Sequence, residues 1–320
     1  MRDALNILRG LDGRQEIISL LSVSEYMDFQ TGNADERSAF IRQNFNFIPM
    51  GFTYNNYVTR EEFDKLNPME KESQLMDAVV LEETVEGDST APGDYENERV
   101  PFEADISTDK KNIRVYFPYE KYMAAYEERD GEIYIYIEEL HGNADVYVGN
   151  KEIRIKDESY LYYTGIEEYW FNLTEIKRNS RGYYFDIKIE GETDFDKSKL
   201  SIYWHPINYE GLAERQKKTM SSVKIETNKI IGTVNCEDNE YLFLSVPYSN
   251  GWTAYVDGDQ VNILRANIGF MTIPLEKGKH EIVLSYVTPG LKEGVGCALV
   301  SAMVILFIFI YIWSKRCICK

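Results

Sequence analysis

Hydrophobic and polar positions alternate with a period of two from about Val100 to Pro206. Ile113, Val115 and Phe117 alternate with Arg114 and Tyr116; Ile133, Ile135 and Ile137 alternate with Tyr134, Tyr136 and Glu138. Ile153 and Ile155 do so with Glu152, Arg154 and Lys156, and Tyr183, Phe185, Ile187 and Ile189 with Tyr184, Asp186, Lys188 and Glu190. Successive strand side chains point to opposite faces, so each segment predicts a strand with one dry and one wet face. Such strands fit antiparallel sheets whose dry faces share a core. Asp130-Gly131, His141-Gly142-Asn143, Gly149-Asn150 and Arg181-Gly182 supply the turns. The spacing predicts a β-sandwich over residues 100–206.

Before it, residues 1–81 read as a mixed, partly helical N-terminal region. Asp35 to Gln43 has helical spacing. Thr59-Arg60-Glu61-Glu62 is a capping box. Asn67 then caps a further helix with Pro68 at its first position. Leu75, Met76 and Val79 form its apolar stripe, as core packing or as a partner groove. Residues 82–99 read as an acidic linker: Glu82 to Glu98 carries seven acids and no base, without the D-x-D-x-D-G spacing of a calcium loop. A helical connector is expected over 207–221, then a second, smaller β-sandwich over 222–290. Asp257-Gly258, between Thr253–Val256 and Val261–Leu264, predicts a type I′ hairpin turn, which needs positive φ at both central positions. Ile282, Leu284 and Tyr286 line one face of the last strand. The fold class is thus mainly β, closed by one apolar helix.

That helix is the segment 294–314, which carries no charge. The nineteen residues Val295 to Trp313 make a helix of about 28 Å, close to the ~30 Å of a bilayer's hydrocarbon. Tyr311 and Trp313 stand at one end, and Lys315, Arg316 and Lys320 follow. Basic flanks stay in the cytoplasm, so the tail 315–320 is expected inside and the bulk of the chain outside: a single-pass protein of the cell membrane with the lipid bilayer as partner. The N terminus offers no signal-peptide core, since Arg2, Asp3, Arg9, Asp12, Arg14 and Glu16 interrupt its hydrophobics. Either the chain is tail-anchored, against its basic tail, or it is the C-terminal piece of a longer polytopic protein.

Among 320 residues, 53 are acidic and 35 basic, a net charge of −18. Such a surface repels phosphate backbones, so no nucleic-acid partner is expected. Cys236 alone lies outside the membrane region and tail, which excludes a disulfide framework; Cys317 and Cys319 lack C-x-x-C spacing. His141, His205 and His280 are far apart, and no H-E-x-x-H, P-loop or G-x-S-x-G motif occurs. The histidines are expected in turns or at strand edges, with no metal, cofactor or catalytic residues assigned. Glu138-Glu139 and Glu167-Glu168 are adjacent in sequence and would point to opposite faces of a strand. The aromatic load, with 24 Tyr, 15 Phe and 4 Trp, is the stronger lead. Tyr160, Tyr162, Tyr163, Tyr169 and Trp170 are candidate carbohydrate-contacting residues, because aromatic faces stack on sugar rings; core packing is the alternative. Asn172-Leu173-Thr174 is a formal glycosylation sequon that reads better as a turn.

The block from Ser245 to Gly294 resembles the C-terminal end of the YfhO family of bacterial membrane proteins. The matching positions include Pro247-Tyr248, Gly251-Trp252, Val256-Asp257-Gly258, Gly269-Phe270, Gly278-Lys279-His280, Tyr286 and Pro289-Gly290; Ile48 to Glu83 is also similar. Tyr248, Gly251, Trp252, Asp257, Gly258, His280, Tyr286 and Pro289 are read as structural members of that motif. The resemblance implies an extracytoplasmic accessory domain and anchor of a C-type glycosyltransferase that decorates teichoic acid from a polyprenyl-phosphate sugar. It places the catalytic acid in an early membrane loop absent here, so the chain is not expected to transfer sugar alone. The implied partners are a polytopic membrane subunit and a glycan or teichoic acid. The alternative is a free-standing anchored β-sandwich that binds cell-surface carbohydrate or protein.

Overall fold

A computed structural model describes residues 14–31, 37–82, 85, 90, 92–93, 97–117, 130–149, 151–156, 158–159, 168–173 and 176–318. The segment 82–99 lies largely outside the described residues, as do Tyr160, Tyr162 and Tyr163.

The chain is mainly β. A first sheet runs in the order Lys151–Ile155, Gly142–Val148, Gly182–Thr193, Asn112–Phe117, Glu103–Ile106, with Lys177–Asn179 also paired to Gly182–Thr193. A second runs Tyr169–Asn172, Gly131–Ile137, Leu200–Pro206, Glu98–Arg99. Alternation decides how they meet. Ile113, Val115, Phe117, Val146, Phe185 and Ile187 of the first sheet share one buried core with Ile133, Ile135, Ile137, Phe171 and Ile202 of the second. On the other face of the first sheet, Arg114 donates to the cross-strand Asp186 at 2.6 Å.

A third sheet runs Ser221–Ile225, Lys229–Cys236, Gly278–Tyr286, Trp252–Val256, Asp259–Val261. The fourth joins distant parts of the chain in the order Phe52–Tyr54, Glu240–Pro247, Phe270–Leu275, Leu264–Ala266, Val79–Leu81, Tyr57–Thr59. Three of its six strands come from the N-terminal 81 residues, and Phe52 pairs opposite Phe243. Leu242, Met271 and Ile273 of this sheet pack with Ile230, Ala254, Ile282 and Leu284 of the third.

The Asp257-Gly258 turn forms as predicted, with φ of 54° and 94°. Its second arm is Asp259–Val261, while Leu264 starts a strand of the fourth sheet.

Five helices are described: α1 (Gln15–Leu20), α2 (Arg60–Asp64), α3 (Pro68–Asp77), α4 (Tyr209–Lys217) and α5 (Leu291–Ile318). Both predicted capping boxes are present, Thr59 with Glu62 on α2 and Asn67 with Glu70 on α3. Leu75, Met76 and Val79 enter a buried core with Phe52, Tyr54, Phe63 and Phe243. The helical expectation for Asp35 to Gln43 fails: Arg37–Gln43 is a strand, paired in register with Glu25–Thr31. Cross-strand pairing over seven positions, with Phe40 and Ile41 favouring extended backbone, overrides the local spacing. Of α5, Leu291–Ile310 has a mean hydropathy of 2.3 and none of that stretch is buried.

Candidate functional site

The second sheet is covered on both faces, which its alternation did not reveal. Tyr134 and Tyr136 fall on the face predicted to be wet, yet Tyr134 is fully buried. Met69 of α3 packs there with Tyr134 and Trp170. Beside them, α1, α3 and two strands bring together the most concentrated buried charge among the described residues.

Glu16, in the first turn of α1, accepts from Asn208 N at 2.8 Å through Oε1 and lies 3.0 Å from His205 Nε2 through Oε2. His205 Nδ1 faces Asn97 Oδ1 at 2.9 Å. The Glu16 carboxylate makes Nε2 a donor, while the Asn97 side-chain amide can meet Nδ1 through its oxygen or its nitrogen. Burial pulls the His205 pKa down, but the Glu16 bond and the charges of Glu72, Glu16 and Glu132 outweigh it, leaving the pKa above the ordinary histidine value. His205 is 1% exposed, in the interior of a sheet and not at a surface edge or turn.

The second half of the cluster is a carboxyl–hydroxyl–carboxyl chain. The Tyr134 hydroxyl lies 2.5 Å from Glu72 Oε2 and 3.1 Å from Glu132 Oε2, and Glu132 Oε1 accepts from Gln15 N at 2.9 Å. One hydroxyl proton cannot serve two carboxylates, so the chain is fully satisfied only when one acid carries a proton. Burial, then the charge of Glu72, pushes Glu132 up to about 8. Burial raises Glu72 as well, against the opposing charges of Arg14 and His205. Burial, then the charges of Glu72 and Glu132, raises the Tyr134 phenol. The Arg14 guanidinium stands 5.3 Å from the Tyr134 ring centre, a cation beside three acids.

Chemically, the cluster can hold a proton or a cation. Glu16, Glu72 and His205 place ligand atoms within 4.8 Å of one another, and Glu72 Oε1 has no hydrogen-bond partner. Two carboxylate oxygens and an imidazole nitrogen suit a divalent ion of the zinc or manganese type. Sequence reasoning missed the cluster because Glu16, Glu72, Glu132 and His205 share no motif. The available signal was each charge's position within an apolar pattern: Glu16 before Ile17-Ile18, and Glu132 beside Ile133.

The aromatic candidates divide. Tyr169 belongs to the core between the first two sheets. Trp170 is 7% exposed and stacked between Tyr136, centroids 4.0 Å apart, and Tyr203, at 5.6 Å. Asn172 of the sequon is buried at the end of its strand. The motif residues gather at the third sheet. Tyr248 and Trp252 pack against the core it shares with the fourth sheet. Gly251 donates to Ser249 Oγ at 3.2 Å, and the Trp252 and Tyr286 ring centres are 4.9 Å apart. Asp257 uses both carboxylate oxygens: Oδ1 accepts from Glu281 N at 2.8 Å and Oδ2 lies 2.7 Å from His280 Nδ1. Pro289 stands exposed between the sheet and α5. Gly258 has open space around it.

Comparison with known proteins places these features in context. The family model described as bacterial membrane protein YfhO matches residues 2–298. The uncharacterized protein YfhO of Bacillus subtilis (strain 168) is 22% identical over 348 residues, covering 98% of this chain and 38% of its own length. The chain thus spans less than two fifths of that relative. Among solved structures, a β-glucuronidase of glycoside hydrolase family 2 aligns at 12% identity over 56% of this chain and 20% of its own, with a TM-score of 0.18. A β-glucuronidase from Ruminococcus gnavus aligns at 8% identity over 56% and 34%, also with a TM-score of 0.18.

Proposed function

The chain belongs to the family of the bacterial membrane protein YfhO, and on that footing we propose that its sheets form an extracytoplasmic accessory domain, held by α5, for a membrane glycosyltransferase. The domain would work beside a polytopic membrane partner, presenting a glycan or teichoic-acid acceptor to a donor sugar bound within the bilayer. One observation carries the reading: an unburied apolar helix of membrane length follows the last sheet directly. The sequence supports its orientation, since Lys315 and Arg316 follow the span. Cysteine accessibility on intact cells tests it. A cysteine placed at exposed Lys277 should react with an impermeant maleimide, and Cys317 should not. Labelling of Cys317 with silence at position 277 overturns the orientation.

A second reading, direct carbohydrate binding, rests on the half-buried Tyr136 and Tyr203, which flank Trp170. Their replacement by alanine should lower binding of teichoic-acid fragments to the full chain in nanodiscs; unchanged binding by the double variant overturns it.

A further inference from the structure

The third sheet reaches the membrane helix with almost no slack. Val287 N still donates to Gly251 O at 2.9 Å, and Leu291 N already donates to Thr288 O at 3.1 Å. Only Thr288, Pro289 and Gly290 lie between. Four Cα steps from Val287 to Leu291 span at most about 14 Å, and Gly290, with φ of 79°, bends the path.

The last rung before that turn carries Trp252 opposite Tyr286. Trp252 is half-buried and packs against the core that the third and fourth sheets share. Val287, next to Tyr286, is 42% exposed. Lys229 lies one rung higher, opposite Ser285, and Lys292 occupies the first turn of α5. Gly251 permits the close corner: a Cβ there would come within 2.5 Å of Val287 O and 2.6 Å of the Tyr286 ring.

Trp and Tyr favour the bilayer–water boundary, where an apolar ring body and a polar edge are both satisfied. Lysines just outside the hydrocarbon attract lipid phosphates. We propose that this corner of the third sheet is a lipid-contact surface. Trp252 and Tyr286 lie at headgroup level, Val287 meets the acyl boundary, and Lys229 and Lys292 meet lipid phosphates. The partner is the bilayer itself because the tether holds the corner within about 14 Å of the start of α5. The inference rests on α5 crossing the membrane, but not on which side the sheets occupy.

The full chain, with its native cysteines replaced, would carry spin labels at K229C, K277C or V300C in phosphatidylglycerol–phosphatidylethanolamine vesicles. Accessibility to oxygen and to a water-soluble nickel chelate reports depth. V300C should sit deep, and the oxygen-to-nickel accessibility ratio, which cancels shielding of the half-buried Lys229 position by the protein itself, should be severalfold higher at K229C than at K277C in the exposed turn before Gly278–Tyr286. K229C as exposed as K277C, with V300C deep, overturns the proposal and leaves the anchor standing; V300C in water overturns both. A flexible glycine–serine insertion after Pro289 separates lipid affinity from tethering. The K229C label should stay at the boundary, and its release to the K277C level overturns the proposal.

Discussion

The Tyr134 hydroxyl lies 2.5 Å from Glu72 Oε2, tying α3 to a strand 62 positions later at a fully buried point. The bond crosses from the helical N-terminal region to the middle sheets. Its neighbours Glu16, Glu132 and His205 make the same crossing, so the protonation of these groups is coupled to the joining of two parts of the chain.

Stability should fall as pH rises. Glu132 is pushed up to about 8, above its unfolded value, so the folded chain holds a proton that the unfolded chain gives up. The raised His205 pKa acts in the same direction: its contribution is complete below the unfolded histidine value near 6.5 and is lost as pH climbs through the folded value. Thermal unfolding of the full chain in detergent should therefore show a lower Tm at about pH 8 than at about pH 5. Glu132→Gln should flatten that slope. An unchanged slope in the variant would show that Glu132 is not a source of the pH dependence.

Trp170→Ala should destabilise by about 3–5 kcal/mol, the usual cost of emptying a large buried aromatic site. The ring is stacked on both sides, so its loss also exposes Tyr136 and Tyr203. Denaturant unfolding measures the change. A shift below about 1 kcal/mol would instead mark an exposed, replaceable ring.

Gly258→Val should cost roughly 1–2 kcal/mol, because a β-branched residue is strained at positive φ even with open space around it. Asp257→Asn is not the silent change expected of a simple turn residue, since both oxygens bind the neighbouring strand Gly278–Tyr286, at Glu281 N and His280. The Glu281 N bond, then His280, lowers the Asp257 pKa, and the Asp257 bond is the first cause that raises His280. The pair's contribution should fade below the ordinary aspartate value and again above the ordinary histidine value. The Tm difference between wild type and Asp257→Asn should accordingly shrink at both pH extremes.

Cys236 is 2% exposed, and burial, then Glu240, pushes its thiol up to about 11. It should resist maleimide at neutral pH in the native chain and react on denaturation. Prompt native labelling would show local opening of the third sheet.

Much of the local architecture was legible in the sequence. Thr59 and Asn67 announced their helices because capping is a contact within four residues, and Asp257-Gly258 announced its turn because few residues accept positive φ in succession. Ile113 and Val115 announced an inward face because a strand has a period of two. The cluster was not legible, because period says which residues share a face and not what covers that face. Tyr134 and Glu132 occupy a covered outer face, and the helices that cover it lie more than fifty residues earlier in sequence. The Arg37–Gln43 strand was misread for a related reason: its partner decided its conformation.

The fourth sheet sets an order of events during synthesis. Phe52–Tyr54 takes its strand partner from Glu240–Pro247, with Phe52 also bridged to Thr219, and Val79–Leu81 meets Leu264–Ala266. The early strands must therefore wait, with apolar edges uncovered, until almost all of the chain before α5 has been made. Loop closure over so many residues is slow, and long-range pairing of this kind dominates folding time. Between Ala266 and Leu291 there is only a short stretch of chain, so the last strands of the sheet and the start of α5 are synthesised within a few seconds of each other at ordinary rates of elongation, about 5–20 residues per second. Membrane insertion and closure of the last core thus become possible at nearly the same moment, and slow closure leaves the early strands exposed to aggregation.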